Sequence, residues 1–315
     1  MSLSPCALDG SPSNAVRTPG NAILLLPLAQ MKYRHAHHAG NFADVHKHVT
    51  LLGLLAALKR KDKGFLYLET HAGRGVYDLS DSAAEAAAGI MRLASDGCVA
   101  EELRHYLARV GHLRRQRGAA RLYPGSPWLA AGELRAQDRA VLIERLPAQA
   151  RALEKSLAEF SGQRRVRVDS GDGYERLRAA LPPTERRGLV FIDPPYEESR
   201  LDLQRAQTAC LDALRRFPTG VVAIWYPIKD ERTGAGWQAG LARDTGREML
   251  LAELWLYPRD SRVALNGSGM LIVNPPYRMD ESMRSWLAEM HRHLDAGHVG
   301  GSAIHRVAPG RVAPG

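Results

Sequence analysis

The sequence predicts an α/β protein: a doubly wound sheet with helices on both faces and an inserted helical subdomain. Three observations lead to this prediction. Short apolar strand patterns alternate with amphipathic helix patterns along most of the chain. Glycines or polar residues follow several strands, as they do where parallel strands end at a ligand site. One interval between successive strands is about twice the spacing of an ordinary strand-helix-strand unit.

Seven stretches have the pattern of buried strands, because runs of apolar and β-branched residues are bounded by turn-forming or polar residues. In chain order they are residues 65–70, 140–145, 164–173, 188–193, 220–226, 250–257 and 269–274. We expect the first five to form the doubly wound sheet. The last two are expected to form an antiparallel pair.

Amphipathic helices separate the strands, and the clearest are at 201–217 and 281–294. Their apolar faces comprise Leu203, Ala206, Cys210, Leu214 and Phe217 in the first, and Met283, Trp286, Leu287, Met290 and Leu294 in the second. The excess length between the first two strands also has a helical pattern. We therefore predict a helical insertion at 78–120 within a sheet domain made of 31–77 and 121–295.

The two ends of the chain have a different composition. Residues 1–30 are rich in Ser, Pro, Gly and Asn, which predicts a disordered leader, a tag or an upstream start before Met31. Residues 296–315 end in a repeated RVAPG and are expected to form a flexible tail. The apolar run at 22–29 is far shorter than the ~20 residues that span a bilayer.

Composition narrows the class of protein. The 315 residues include 43 Lys and Arg against 34 Asp and Glu, giving a net charge of +9. This balance favours a polyanionic partner, nucleic acid first. The three scattered cysteines form neither a disulfide framework nor a metal motif. We expect a cytoplasmic protein without a membrane partner.

The ends of the first three strands predict a nucleoside-binding site. The first strand runs into a glycine turn, the sequence ETHAGRG at 69–75, and the second ends at Glu144. Asp172 and Gly173 follow the third. Glycines let a ligand approach the backbone closely, and an acid at the second strand end binds ribose hydroxyls. The turn is not GxGxxG, so the motif is weak without the acids that follow it.

The fourth strand ends in Asp193-Pro194-Pro195-Tyr196, which predicts a site for an amino group. The Asp193 carboxylate and the Pro194 carbonyl are acceptors, and neither proline has a backbone N–H to donate. Acceptors held at a sheet edge suit a ligand that brings N–H donors, such as an exocyclic amine. Tyr196 offers a flat face on which a heterocycle can stack.

A second tip of similar design, Asn274-Pro275-Pro276-Tyr277, ends the last strand. Asp193 follows the fourth strand, counted from the strand that leads into the glycine turn. A switch in strand order is expected at this strand end. Asn274 lies at the far end of the order. We therefore predict that Asp193 is the amine-binding tip and that the Asn274 tip is a structural strand end or an RNA contact.

Four motifs together resemble a known family. They are YRHAHHAGNFADVHKH at 33–48, LETHAGRGVY at 68–77, YPGSP at 123–127 and IDPPYE at 192–197. Over residues 31–295 the chain resembles the bacterial 23S ribosomal RNA adenine-N6 methyltransferases of the RlmJ type. The resemblance implies a Rossmann-like sheet that binds S-adenosylmethionine, uses no metal and methylates the 6-amino group of an adenine in 23S ribosomal RNA, adenine 2030 in this family.

The resemblance also implies roles for individual residues. Catalytic roles fall to Asp193, Pro194 and Tyr196. The cofactor is expected at Lys47, His48, His71, Ser126, Glu144, Asp172, Gly173 and Asp193. Tyr33, His35 and Lys47 are expected to contact the substrate as part of a lid that closes over the site. A monomer is expected.

Three alternatives remain open from the residues. The same chemistry on DNA is one, since DPPY is common in DNA adenine methylases, and an inactive RNA-binding protein is another. The third is a metal-dependent hydrolase built on the cluster His35, His37, His38, Asp44, His46 and His48. We predict no metal there, because Lys47 would bring a positive charge beside it and Asp44 can serve as a helix cap.

Overall fold

The structure is a computed structural model, and it describes residues 38–93, 97–160, 162, 165–229, 235–258, 261, 265–295, 297 and 299–307. Within these ranges, no helix combines the length and the apolar character needed to cross a membrane. The predicted leader at 1–30 lies outside them.

An eight-stranded sheet forms the centre of the fold. Its strands are β1 (Leu66–Glu69), β4 (Arg139–Glu144), β5 (Arg165–Ser170), β6 (Gly188–Ile192), β7 (Val221–Ile228), β8 (Met249–Trp255), β9 (Gly267–Val273) and β10 (Gly301–Val307), in the order β10-β8-β9-β7-β6-β1-β4-β5. Two short strands, β2 (Val76–Asp78) and β3 (Leu122–Pro124), pair separately in antiparallel fashion. The predicted α/β fold class is confirmed.

Helices cover both faces of the sheet. They are α1 (Phe42–Lys59), α2 (Ala83–Ala87), α3 (Ile90–Leu93), α4 (Glu101–Arg117), α5 (Ser126–Glu133), α6 (Pro147–Ser156), α7 (Gly173–Ala180), α8 (Ser199–Arg216), α9 (Ala235–Thr245) and α10 (Met279–Leu294). One apolar core lies between the sheet and α1, α5, α10 and the insertion helices. The other lies between the sheet and α7, α8 and α9.

The direction of the strands separates the two PPY tips. β5, β4, β1, β6 and β7 are parallel, whereas β9 runs antiparallel to β7. Asp193 therefore lies at the C-terminal edge of the parallel strands, and Asn274 lies at the opposite edge. The Asn274 side chain donates hydrogen bonds to the carbonyls of Pro218 and Gly220 at 3.0 and 2.9 Å. At this second tip, Asn274 acts as a strand-end cap.

Two expectations are wrong in detail. Residues 301–307 are not part of a flexible tail but pair along their whole length with β8, which gives the backbone groups of that strand hydrogen-bonding partners. Arg306 also forms ion pairs with Asp280 and Glu248. In addition, the cap of α1 is Asn41 rather than Asp44, because the helix begins at Phe42 and the Asn41 side chain accepts the Asp44 N–H at 2.9 Å.

Candidate active site

Asp193 follows β6 directly and lies level with Trp225 of β7, because Ile192 pairs with Ile224. Phe191 faces the core beneath α1. Since side chains alternate along a strand, Asp193 belongs to the same face of the sheet. β1, next to β6, is the central strand from which the order runs in both directions. Asp193 thus lies at the switch point where ligands bind in such sheets.

Lys47 of α1 points its ammonium at the Asp193 carboxylate. Its Nζ lies 2.6 Å from Asp193 Oδ2 and 2.9 Å from Asp44 Oδ1. The three side chains are 5%, 11% and 4% exposed, respectively. Asp44 in turn accepts the Gly40 N–H at 3.0 Å. Charge-assisted bonds of this kind are strong, so the ammonium ties α1 to the tip of β6.

Glu69, the last residue of β1, is fully buried on the same face. It accepts hydrogen bonds from the Tyr67 hydroxyl at 2.9 Å and from the Ser126 hydroxyl. Burial raises the pKa of Glu69 to about 8, despite these two bonds and the nearby Lys47. The predicted cofactor residue Ser126 is therefore held at the start of α5 by a carboxyl group that is mostly protonated at neutral pH.

The glycine turn after β1 is shaped by Glu144, the last residue of β4. One Glu144 oxygen accepts the Gly73 N–H and the other accepts the Leu146 N–H, both at 2.8 Å. Gly73 and Gly75 have φ of +62° and +82°, where a side chain is unfavourable. A Cβ on Gly73 would also lie 2.3 Å from the Tyr77 hydroxyl. Bare backbone therefore lines this part of the edge.

Asp172 and Gly173 begin α7 at the end of β5. Asp172 Oδ1 accepts the Tyr174 and Glu175 N–H groups at 2.9 and 3.2 Å, and Oδ2 has no hydrogen bond to any described residue. A Cβ on Gly173 would lie 2.0 Å from the Thr70 carbonyl oxygen. The absence of a side chain brings the α7 N-terminus against the end of β1. An acceptor and a helix N-terminus therefore flank the glycine turn.

His71 lies between the glycine turn and α7. Its Nδ1 is 2.8 Å from the Thr70 hydroxyl oxygen, and its ring meets the Tyr174 ring edge-on at 5.0 Å. Desolvation lowers the pKa of His71 to about 4, against the pull of the surrounding aspartates. The imidazole is therefore neutral at physiological pH and lines the site as a polar but uncharged ring.

The Tyr196 ring has a different setting from the one expected of a stacking surface. Its backbone is left-handed, with φ of +51°. Tyr196 is 5% exposed, and its hydroxyl donates to the Trp225 carbonyl. The Tyr196 and Trp225 rings pack edge-to-face with their centroids 5.4 Å apart. Sequence reasoning missed Trp225. The signal was present, because alternation along 220–226 puts Trp225 on the same face as Asp193.

The described members of the histidine cluster turn to separate partners. Through Nδ1, His38 contacts Glu85 at 2.7 Å, His46 contacts Ser268 at 2.9 Å and His48 contacts Tyr123 at 2.9 Å. These three rings do not converge on a common ligand position. His48 is a predicted cofactor residue. It is buried against Tyr123 of β3, and its cofactor role stays a prediction.

A different group has metal-ligand spacing among the described residues. Cys98, Glu289 and His293 each place one potential ligand atom within 4.8 Å of the others. However, the two Glu289 oxygens already accept the N–H groups of Val99 and Ala100 ahead of α4. The carboxylate therefore serves to hold the start of the insertion helix.

Most of the chain matches a known protein family. The sequence model of one family, described as "Ribosomal RNA large subunit methyltransferase D, RlmJ", matches residues 62–306. The chain belongs to the RlmJ family. Two curated relatives, both named "Ribosomal RNA large subunit methyltransferase J", come from Escherichia coli (strain K12) and Haemophilus influenzae (strain ATCC 51907 / DSM 11121 / KW20 / Rd). They are 38% and 36% identical to it over 283 residues, which are 89% of this chain and 99% of each relative.

A solved structure resembles the chain over most of its length. The crystal structure of a Legionella pneumophila protein matches with a TM-score of 0.73 and 33% identity, covering 88% of this chain and 100% of that one. The family model and the two curated relatives confirm the resemblance of the four sequence motifs to the RlmJ family.

The predicted lid and the arginine-rich stretch of the insertion complete the description of the site. The lid residues Tyr33 and His35 lie outside the described residues, so their roles stay predictions. Residues 104–121 are rich in arginine and contain no acidic residue, but some of these arginines have partners inside the protein. Arg109 lies over the Trp128 ring at 4.9 Å, and Arg114 donates to the Leu122 carbonyl at 3.1 Å. These two arginines therefore join α4 to α5 and β3.

Proposed function

We propose that this chain transfers the methyl group of S-adenosylmethionine to the 6-amino group of an adenine in 23S ribosomal RNA. Membership of the RlmJ family supports the methyltransferase activity and the ribosomal RNA. The Asp193 tip at the switch point carries the proposal for an amino group, because it presents rigid acceptors and no competing proline N–H. By the motif resemblance, the target is adenine 2030.

The C-terminal edge of the sheet suits the cofactor. Bare glycine backbone at Gly73 leaves room for a close approach, and the open Asp172 oxygen can accept a hydrogen bond. The Glu144 carboxylate can accept further bonds from ribose hydroxyls. His71 and Ser126 would line the remaining wall. When bound, S-adenosylmethionine supplies an electrophilic methyl group on a positively charged sulfur.

The chain's own contribution to the reaction is orientation. The lone pair of an adenine 6-amino group is delocalised into the ring. Hydrogen bonds from the two amine protons to Asp193 and the Pro194 carbonyl would turn that lone pair toward the methyl group. Lys47 holds the Asp193 carboxylate in position for this. Correct placement of two reactants contributes a large part of such rate enhancements.

The proposed substrate has further consequences. A paired or stacked adenine must leave its stack to reach the edge of the sheet. The net charge of +9 suits a nucleic acid partner. We propose that the protein acts in the bacterial cytoplasm as a monomer and uses no metal.

The test compares RNA with DNA as the substrate, and the Asp193 tip with the Asn274 tip. Purified protein is given methyl-labelled cofactor with unmodified 23S RNA or with duplex DNA, and modified adenines are mapped by mass spectrometry. We expect transfer to a single adenine of the RNA. Asp193→Ala should lower transfer at least about 100-fold while cofactor binding persists, whereas Asn274→Ala, at the opposite edge, should change it little.

Either of two results would contradict the proposal. Efficient transfer to DNA but not RNA would support the DNA alternative. An Asn274→Ala variant less active than Asp193→Ala would mean that the wrong tip was chosen.

A further inference from the structure

Trp225 stands out within its strand. Every other residue of Val221–Ile228 is buried, but the Trp225 side chain is partly exposed. It lies one position beyond the last pair of β6 and β7, level with Asp193 and on the same face. An indole left open at the C-terminal edge of a parallel sheet is on the side where ligands bind.

Two buried polar side chains hold the indole through successive hydrogen bonds. Its Nε1 donates to the Ser268 hydroxyl at 2.9 Å, and that hydroxyl is 2.9 Å from His46 Nδ1. His46 and Ser268 are fully buried, and burial lowers the pKa of His46 to about 3. The imidazole is therefore neutral over the physiological range. This anchoring fixes the plane of the indole ring with neutral groups alone.

The same helix that anchors Trp225 also positions Asp193. His46 and Lys47 are consecutive in α1. The Lys47 ammonium touches the Asp193 carboxylate at 2.6 Å and lies 5.6 Å from the centre of the Trp225 ring. The ammonium contacts the amine acceptor and stands over the indole, so Asp193 and Trp225 are neighbours at this edge of the sheet. A planar base whose amino group reaches Asp193 would lie along the indole.

The Tyr196 ring is less available for such contact. It is almost fully covered, and it packs edge-to-face with the Trp225 ring. Its hydroxyl is bound to the Trp225 carbonyl. Tyr196 in this arrangement supports Trp225, which is the more exposed of the two aromatic residues.

We propose that Trp225 is the wall on which the target adenine stacks, with Ser268 and His46 as positioning residues that hold its ring. This inference rests on the proposed function, since it concerns the adenine that is methylated. Stacking of a base on an aromatic side chain is independent of sequence, so Trp225 would orient the adenine without selecting its neighbours. Asp193 would then accept a hydrogen bond from the amino group.

The experiment replaces the ring and leaves the cofactor site intact. Trp225→Leu removes the aromatic surface, Trp225→Phe keeps one, and Trp225→Met is a second ring-free variant. Trp237→Leu is the matched control, because Trp237 is also partly exposed but lies on the other face, 5.6 Å from the Tyr226 ring. Steady-state methyl transfer to 23S RNA and equilibrium binding of S-adenosylmethionine are measured for each.

We expect kcat/KM for RNA to fall about 10-fold to 100-fold in the two ring-free variants, the range expected for loss of one stacked base. Trp225→Phe should stay within about 3-fold of the wild type, since it retains a ring. Cofactor affinity should be unchanged in all variants, which also shows that they are folded. Ser268→Ala should fall between the wild type and Trp225→Leu in kcat/KM.

Three outcomes would overturn the inference. If ring-free variants that bind cofactor normally keep wild-type kcat/KM, the adenine does not stack on Trp225, although the proposed function stands. If Trp225→Phe is as defective as Trp225→Leu, the indole serves the packing of the edge rather than stacking. Wild-type protein that binds cofactor but methylates no RNA would overturn the proposed function and this inference with it.

Discussion

Replacing Lys47 with methionine tests the central ion-pair network of the site. The substitution keeps most of the apolar stem of the side chain but removes the ammonium. Asp44 and Asp193 then face each other across the vacated position, with side chains only 4% and 11% exposed. Each would lose its close cationic partner while remaining largely shielded from water.

The size of the effect follows from this burial. Removing one partner of a buried ion pair typically costs about 3–5 kcal/mol of unfolding free energy, because the remaining charge is left uncompensated. Asp44→Asn should cost less, about 1–3 kcal/mol, since Lys47 keeps Asp193 as a partner. The double variant should lose less than the sum of the two, with a coupling of about 0.5–3 kcal/mol.

The assay is equilibrium urea unfolding of the wild type, the two single variants and the double variant at pH 7 and fixed salt. Methyl transfer by Lys47→Met should fall sharply, because Asp193 is no longer held in place. A loss of stability below about 1 kcal/mol for Lys47→Met, or strict additivity in the double variant, would refute the buried bridge.

Two further predictions concern pH and packing. The pKa of Glu69 is raised by burial to about 8 in the folded state, so its contribution to stability is present at low pH and is lost as the pH rises towards 8. Relative to the Glu69→Gln variant, the wild type should lose up to about 1.4 kcal/mol of unfolding free energy per pH unit in this window. If the urea midpoints of the two proteins change in parallel from pH 5 to 8, the prediction is wrong. Gly173→Ala should cost about 1–3 kcal/mol and weaken cofactor binding, because its Cβ would meet the Thr70 carbonyl oxygen at 2.0 Å. Gly236→Ala in α9 is the control, since a Cβ there meets nothing within 4 Å, and equal melting temperatures for the two variants would contradict the close approach.

The sequence by itself predicted the main strands in their order along the chain, a helical insertion and the composition of the strand ends. These features follow from local patterns, because a buried strand or an amphipathic helix requires apolar residues at a fixed spacing. The rigid acceptors at Asp193 and Pro194 could be recognised for the same reason, since proline removes the N–H donor wherever it lies. The pairing of residues 301–307 with β8 was not predicted, because this edge strand is at least partly exposed except at its last residue and is stabilised by its neighbour rather than by an apolar pattern of its own.

Only the tertiary structure decided which residues share the site. The direction of β9 puts Asn274 at the opposite edge from Asp193, and strand direction depends on long-range pairing that no local pattern encodes. The contact of Lys47 with Asp193 joins residues 146 positions apart. Trp225 has the residue pattern of a core position in β7, yet it is left partly open because β6 ends at its level. Packing of α1 on the sheet brings these three side chains to one place.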